Sequence, residues 1–219
     1  ALGAVAPHVD ASLLGPVLES LRAAVGPQET DRFVREAAAG ALGAVAPHVD
    51  ANLLGPVLQD LLRAAVGPQE TESDVRYAAA GALGAVAPHV DASLLGPVLE
   101  SLRAAVGPQE TDRFVREAAA GALGAVAPHV DASLLGPVLE SLRAAVGPQE
   151  TELYVRWAAA GALGAVAPHV DAGLLGPVLQ DLLRAAVGPL ETESSVREAA
   201  AGALGAVAPH VDASLLGPV

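Results

Sequence analysis

The sequence has no cysteine, no methionine and no lysine among its 219 residues, and aromatic side chains make up only 2% of it. The absence of cysteine excludes disulfides and thiolate metal sites. Its 25 acidic and 12 basic residues give a net charge of −13, which leaves no basic stripe for nucleic-acid phosphates. We therefore expect no nucleic-acid partner. The acidic surface is interpreted first as a solvated surface and second as an attraction for a basic partner.

Long apolar runs are also missing, although the chain is 52% hydrophobic. Pro47, His48 and Asp50 interrupt the uncharged stretch, which falls short of the roughly 18 to 20 apolar residues that a spanning helix needs. The sequence therefore predicts no membrane insertion.

What the chain does have is repetition. The segment ALGAVAPHVD begins at residues 1, 41, 82, 122, 162 and 203, a spacing of 40 or 41 residues that is typical of stacked supersecondary units. We predict that residues 1–219 form a single repeat array. Both ends fall inside predicted helices and lack a polar cap, so we expect a piece of a longer array or a unit that stacks on other copies.

The first helix of each copy is predicted from apolar positions three or four residues apart. Asp10 is expected to cap it, and Pro16 is expected to bend it. Gly26-Pro27 is expected to end it, with the glycine as a left-handed C-cap. The apolar positions in the first complete copy are Leu14, Val17, Leu18, Leu21, Ala24 and Val25.

The second helix follows the same periodicity and is predicted to end at Pro47. Gly40 and Gly43 are expected to permit close contact between helices. Its apolar face consists of Val34, Ala37, Ala38, Ala41, Leu42 and Val45. An acidic residue marks its start in every copy, where it meets the positive end of the helix dipole, at Asp31, Glu72, Asp112, Glu152 and Glu193.

Two stretches carry a family resemblance. VREAAAGALGAVA, residues 34–46, resembles the second-helix signature of HEAT repeats, and LLGPVLESL, residues 13–21, is similar to their first helix with its proline. The resemblance covers every complete repeat. It implies an all-α fold, an αα-superhelix of the HEAT-like solenoid type, with about five antiparallel helix pairs plus a partial terminal unit.

The resemblance also implies a charged ladder along the stack. In that family an acid six positions before the Val-Arg arginine forms the ladder, usually as Asp, whereas this chain has Glu there. Asp31 and its counterparts, four residues before the same arginines, are the alternative local partners. The arginines are interpreted as structural. The implied pairs are Glu29 with Arg35, Glu70 with Arg76, Glu110 with Arg116, Glu150 with Arg156, and Glu191 with Arg197.

Catalytic chemistry finds little support. His8, Asp10 and Ser12 supply the residue types of a hydrolase triad, but three side chains within one turn rarely converge, and two copies replace the serine. The six histidines recur one per copy, too far apart for neighbours to share a metal. We therefore expect no enzyme, no catalytic residues, no metal and no cofactor. The histidines are His8, His48, His89, His129, His169 and His210.

Most residues that differ between copies lie between the two helices and in the first turn of the second helix. All five aromatic residues lie there, and aromatic residues with arginine are typical anchors of protein interfaces. The hypothesis is a protein-binding ridge; the alternative is that these residues cover helix ends or lie scattered on the surface. The candidate residues are Phe33, Tyr77, Phe114, Tyr154, Trp157, Arg32 and Arg113.

Three functions remain open at this point. The first is a non-enzymatic HEAT-like scaffold that binds protein partners. The second is a structural protein that binds other copies of itself through uncapped repeat ends and builds a filament or ring. The third is a designed or consensus repeat protein without a natural function, which the near-identity of the copies favours.

Overall fold

The computed structural model describes residues 11–210, and the α-helices in that range follow one another as five pairs. No strand occurs among these residues. The predicted cap Asp10 and the partial units at both ends lie outside them. The pairs are α1 and α2 (Ala11–Val25, Arg32–Val45), α3 and α4 (Ala51–Val66, Ser73–Val86), α5 and α6 (Leu95–Val106, Arg113–Val126), α7 and α8 (Leu135–Val146, Leu153–Val166), and α9 and α10 (Leu175–Val187, Ser194–Val207).

The helices bury the faces that their apolar periodicity predicts. In α3 the fully buried positions are Leu54, Val57, Leu58, Leu61 and Ala65, which recur every three or four residues. Burying each leucine stabilises the fold by roughly 1.5 to 3 kcal/mol. Most of the stability of these short helices therefore comes from packing against other helices rather than from helix propensity.

The start of the first helix differs between copies. In three copies a 3₁₀ turn precedes the α-helix, as in Ala92–Leu94 before α5, and the helix then begins two residues before its proline. A proline in the first turn removes an amide that has no helical partner anyway. In α1 and α3 the helix runs through Pro16 and Pro56 instead. Asp91 caps the 3₁₀ turn by accepting a hydrogen bond from the amide of Ser93 at 2.9 Å.

The glycine that ends the first helix is not left-handed, so that prediction is wrong. Gly67 has φ −71° and ψ 150°, and Gly188 has φ −68° and ψ 149°. The proline that follows each glycine favours this extended conformation. Space requires the glycine in these copies, because a Cβ on Gly67 would lie 2.2 Å from the carbonyl oxygen of Arg63.

Close contact between second helices depends on one of the two predicted glycines. A Cβ added to Gly43 would lie 3.0 Å from the Cα of Ala82, and one added to Gly124 would lie 2.8 Å from the Cα of Ala162. The prediction is confirmed at this position. It is wrong for Gly40, where an added Cβ would meet nothing within 4 Å, because this glycine is exposed.

The chain divides into two compact units between Ser101 and Leu102. In the first unit α1 packs on α2 and α3 on α4, and the second helices α2 and α4 lie against each other. In the second unit α7 packs on α8 and α9 on α10, while α6, α8 and α10 contact one another in sequence. Among the described helices, none has the length and apolarity required to cross a bilayer.

Candidate protein-binding edge

Carboxylates fix the turn that leads into each second helix. Asp31 accepts a hydrogen bond from the amide of Phe33 at 2.9 Å, and Asp112 accepts one from the amide of Phe114 at 2.8 Å. These bonds satisfy amides that the first helical turn leaves unpaired. An acidic residue stands at the N-cap of each second helix, as predicted, but Glu72, Glu152 and Glu193 make no side-chain hydrogen bond to the helix amides.

A charged ladder exists, but it joins consecutive copies rather than residues of one copy. The Nε of Arg35 donates to Glu70 at 2.8 Å and the Nε of Arg156 donates to Glu191 at 2.8 Å. The Nη1 of Arg116 donates to Glu150 at 2.5 Å. Hydrogen bonds between a guanidinium and a carboxylate are charge-assisted, and these bonds join neighbouring helix pairs.

The same-copy pairing is therefore wrong, for a local reason. Glu29 offers Arg35 its backbone carbonyl at 3.0 Å, while its carboxylate accepts the amide of Asp31 at 2.8 Å. Asp31 is equally occupied as a cap. Within residues 11–210, none of the five predicted same-copy pairs forms an ion pair between its carboxylate and its guanidinium. These pairs are Glu29 with Arg35, Glu70 with Arg76, Glu110 with Arg116, Glu150 with Arg156, and Glu191 with Arg197.

The ladder glutamates stay ionised in spite of their burial. Burial alone raises the pKa of Glu70, but the hydrogen bond from Arg35 and the amides of Thr71 and Glu72 outweigh it, so the pKa lies below its usual value. The same causes lower the pKa of Glu191, which Arg156 contacts. Each glutamate thus binds the arginine of the preceding copy and shapes its own turn at once.

Sequence reasoning missed a second set of pairs between first helices. Arg22 donates to Asp60 at 2.7 Å, and Arg143 donates to Asp181 at 2.6 Å. The signal was visible, because both aspartates replace a serine of the other copies within the QDLLR variant of the first helix. Where the serine is kept, Arg103 reaches Ser141 only at 3.4 Å.

The structure places most of the candidate aromatic residues on the surface. In the first unit Phe33 is 62% exposed and Tyr77 is 39% exposed. In the second unit Tyr154 is 53% exposed, Trp157 is 45% exposed and Phe114 is half-buried. All of them lie within the first two turns of second helices. Protein binding by these residues stays a prediction, and so does the alternative that they cover helix ends or lie scattered on the surface.

The two candidate arginines contact the chain itself. The guanidinium of Arg32 lies 4.6 Å from the ring centroid of Phe33, and that of Arg113 lies 4.6 Å from the ring of Phe114, both within cation–π range. Arg32 also approaches Glu72 at 3.4 Å. Each arginine thus bridges its neighbouring aromatic ring to an acid of the next copy.

Glu117 is a buried acid that sequence reasoning did not single out. It is 5% exposed, and it has no hydrogen bond or ion pair among the described residues. Burial raises the pKa of Glu117 to about 7. Glu198, which occupies the same repeat position, is exposed. The residue type at this position therefore does not predict that Glu117 is buried.

The concave surfaces are grooves between the hairpins of neighbouring copies. One, in the first unit, encloses about 540 Å³ and is lined by Arg35, Glu70, Asp60 and Arg63. These charges are already paired, Arg35 with Glu70 and Asp60 with Arg63. The groove therefore presents a neutralised charge network rather than a nucleophile beside a base.

The histidine motif serves as backbone structure where it is described. His8 and Asp10 lie outside the described residues. In a later copy Asp91 accepts from the amide of Ser93, so the acid and the serine form a turn. Residues 11–210 contain no group of three or more His, Asp or Glu side chains that could hold a metal ion.

The succession of packed helix pairs defines an all-α, HEAT-like solenoid, as the sequence predicted. Importin beta in an ammonium sulfate condition superposes with a TM-score of 0.68 at 20% identity, over 90% of this chain and 25% of that one. The karyopherin Kap121p bound to the SUMO protease Ulp1p gives a TM-score of 0.64 at 21% identity, over 82% of this chain and 18% of that one.

These similarities establish the fold. The chain spans a quarter or less of the length of the two structures. Neither a protein-family model nor a curated protein sequence matches it.

Proposed function

We propose that this chain is a non-enzymatic scaffold that binds a protein partner along the first turns of its second helices. The observation that carries the proposal is the exposure of Tyr154 and Trp157, which are 53% and 45% exposed on the same helix. Large aromatic side chains lose little conformational entropy on binding, and they are enriched among the residues that dominate interface energies.

The charge and the structural neighbours support a protein as the partner. A net charge of −13 opposes binding to phosphate backbones. Kap121p, which shares the fold, has been crystallised bound to the proteins Ulp1p and Pho4p. The paired charges of the grooves support a binding role more than a catalytic one.

The test is a selection of binding peptides from a random displayed library, followed by affinity measurements on variants. We expect the double variant Tyr154→Ala, Trp157→Ala to bind the selected peptides about tenfold more weakly or worse, because it removes two interface anchors. Leu134→Ala is the matched control, since Leu134 is 42% exposed in the same unit but precedes a first helix. Unchanged affinity with retained circular dichroism would reject this surface.

Self-association is the competing function, and light scattering distinguishes it. A scaffold for another protein is expected to keep one molar mass over a wide concentration range. Filaments or discrete rings that grow with concentration would support the structural alternative.

A further inference from the structure

The copies that carry phenylalanine at the binding edge provide their own arginine for it. Arg113 lies 4.6 Å from the ring of Phe114 and 3.7 Å from Glu152, the helix-start acid of the next copy. Arg32 makes the equivalent contacts with Phe33 and Glu72. The repeat thus builds a small cation site from an aromatic ring and a carboxylate, and fills it with its own side chain.

The copy that contains α8 has an aromatic residue and a next-copy acid at the same repeat positions but lacks the arginine. Leu153 stands where the others have Arg32 and Arg113, followed by Tyr154 in place of the phenylalanine. Within the described chain, no cation lies over the ring of Tyr154, and Glu193, the next helix-start acid, forms no ion pair. Both side chains are exposed.

Trp157 is a second exposed aromatic residue beside Tyr154. It follows Tyr154 by three residues, so the two side chains are neighbours on the surface of α8. Trp157 is 45% exposed, and α10, which begins next to Glu193, packs against α8. This copy therefore carries two exposed aromatic rings at and near the repeat position of the phenylalanines, and the next copy carries an unpaired carboxylate at the repeat position that Arg32 and Arg113 contact elsewhere.

We propose that an arginine side chain of a partner protein occupies this position, against Tyr154 and Trp157 and paired with Glu193. The inference rests on the proposed protein-binding function and specifies the chemistry of the partner. Arginine fits better than lysine because its planar guanidinium stacks on a ring while it bonds a carboxylate. The net charge of −13 draws a basic partner to this surface.

The decisive variant restores the arginine within the chain. Leu153→Arg places an arginine at the repeat position where Arg32 and Arg113 already stand, so we expect it to fold. Its guanidinium would take the place of the partner's. Ser73→Arg is the matched control, because it adds the same charge at the same repeat position of another copy.

The probe is the blocked tripeptide acetyl-Gly-Arg-Gly-amide, titrated while the indole N–H signal of Trp157, the only tryptophan, is followed by NMR. The matched peptide carries citrulline, a neutral isostere of arginine. We expect the arginine peptide to bind about three to ten times more tightly than the citrulline peptide. We also expect Leu153→Arg to abolish this preference and Ser73→Arg to keep it.

The outcomes separate this inference from the proposed function. Equal binding of the two peptides, or an unchanged preference in Leu153→Arg, would overturn the arginine site. If selected peptides still depend on Tyr154 and Trp157 in that case, the protein-binding surface stands with a different chemistry. If neither dependence is found, both proposals fail.

Discussion

At the scale of single residues, a glutamate at the same repeat position has different physical properties in different copies. Glu117 is 5% exposed with a pKa raised to about 7 by burial, while Glu198 occupies the same repeat position in an exposed site. Burial without a partner favours the neutral form of a carboxyl group. Glu117 is therefore a source of instability that the other copies do not share.

Glu117→Gln is expected to stabilise the protein at pH 8 more than at pH 5. The pKa of Glu117 in the folded state is about 7, above the ordinary value of 4.5, so the folded state binds more protons between these values and loses stability as pH rises. The neutral glutamine avoids that loss. We expect the gain in the free energy of unfolding to be about 1 to 3 kcal/mol larger at pH 8 than at pH 5. Urea unfolding followed by circular dichroism measures it.

Glu198→Gln serves as the control for this substitution. Because Glu198 is exposed, its replacement is expected to change the free energy of unfolding by less than about 0.5 kcal/mol at either pH. Equal gains for Glu117→Gln at both pH values would show that burial does not perturb its ionisation.

At the scale of elements, the spacing of second helices depends on small residues at one position. In α6, Gly124 faces Ala162 of α8, and Gly121 of the same helix faces open space. The two glycines cost the helix similar propensity, but only Gly124 gains a close contact in return. The pair therefore separates packing from propensity within a single helix.

Gly124→Ala is expected to destabilise the fold by about 1 to 3 kcal/mol, because its Cβ would lie 2.8 Å from the Cα of Ala162 and the helices would have to move apart. Gly121→Ala is expected to stabilise by about 0.5 to 1 kcal/mol, because alanine loses less backbone entropy. Thermal unfolding of both variants checks the signs. Similar shifts for the two would contradict a packing role for Gly124.

The helices and their caps were more predictable from the sequence than the ion pairs between copies. Periodicity predicted the buried face of α3, and the recurring acid predicted the cap at Asp31, because both depend on residues close in sequence. The pairing of Arg35 with Glu70 was not predicted, because it depends on how one copy stacks on the next. The burial of Glu117 was missed for the same reason.

At the scale of the whole molecule, two groups of acids oppose each other as pH changes. The ladder acids Glu70 and Glu191 have pKa values below the ordinary 4.5, so their stabilisation is present above that value and is lost as pH falls below it. Glu117 and the mutual repulsion within a chain of net charge −13 act in the other direction, destabilising the fold as pH rises. Stability is therefore expected to peak in mildly acidic solution.

The thermal midpoint is accordingly expected to rise from about pH 8 to about pH 5 and to fall again below about pH 4. Circular dichroism melts across this range measure it, with light scattering to detect association near the isoelectric point of about 4.7.

Added salt at about 0.5 M screens the surface repulsion but leaves the buried Glu117 unscreened. The rise on acidification should thus shrink in salt without vanishing, and it should shrink further in Glu117→Gln. A midpoint that rises steadily toward alkaline pH would contradict both causes.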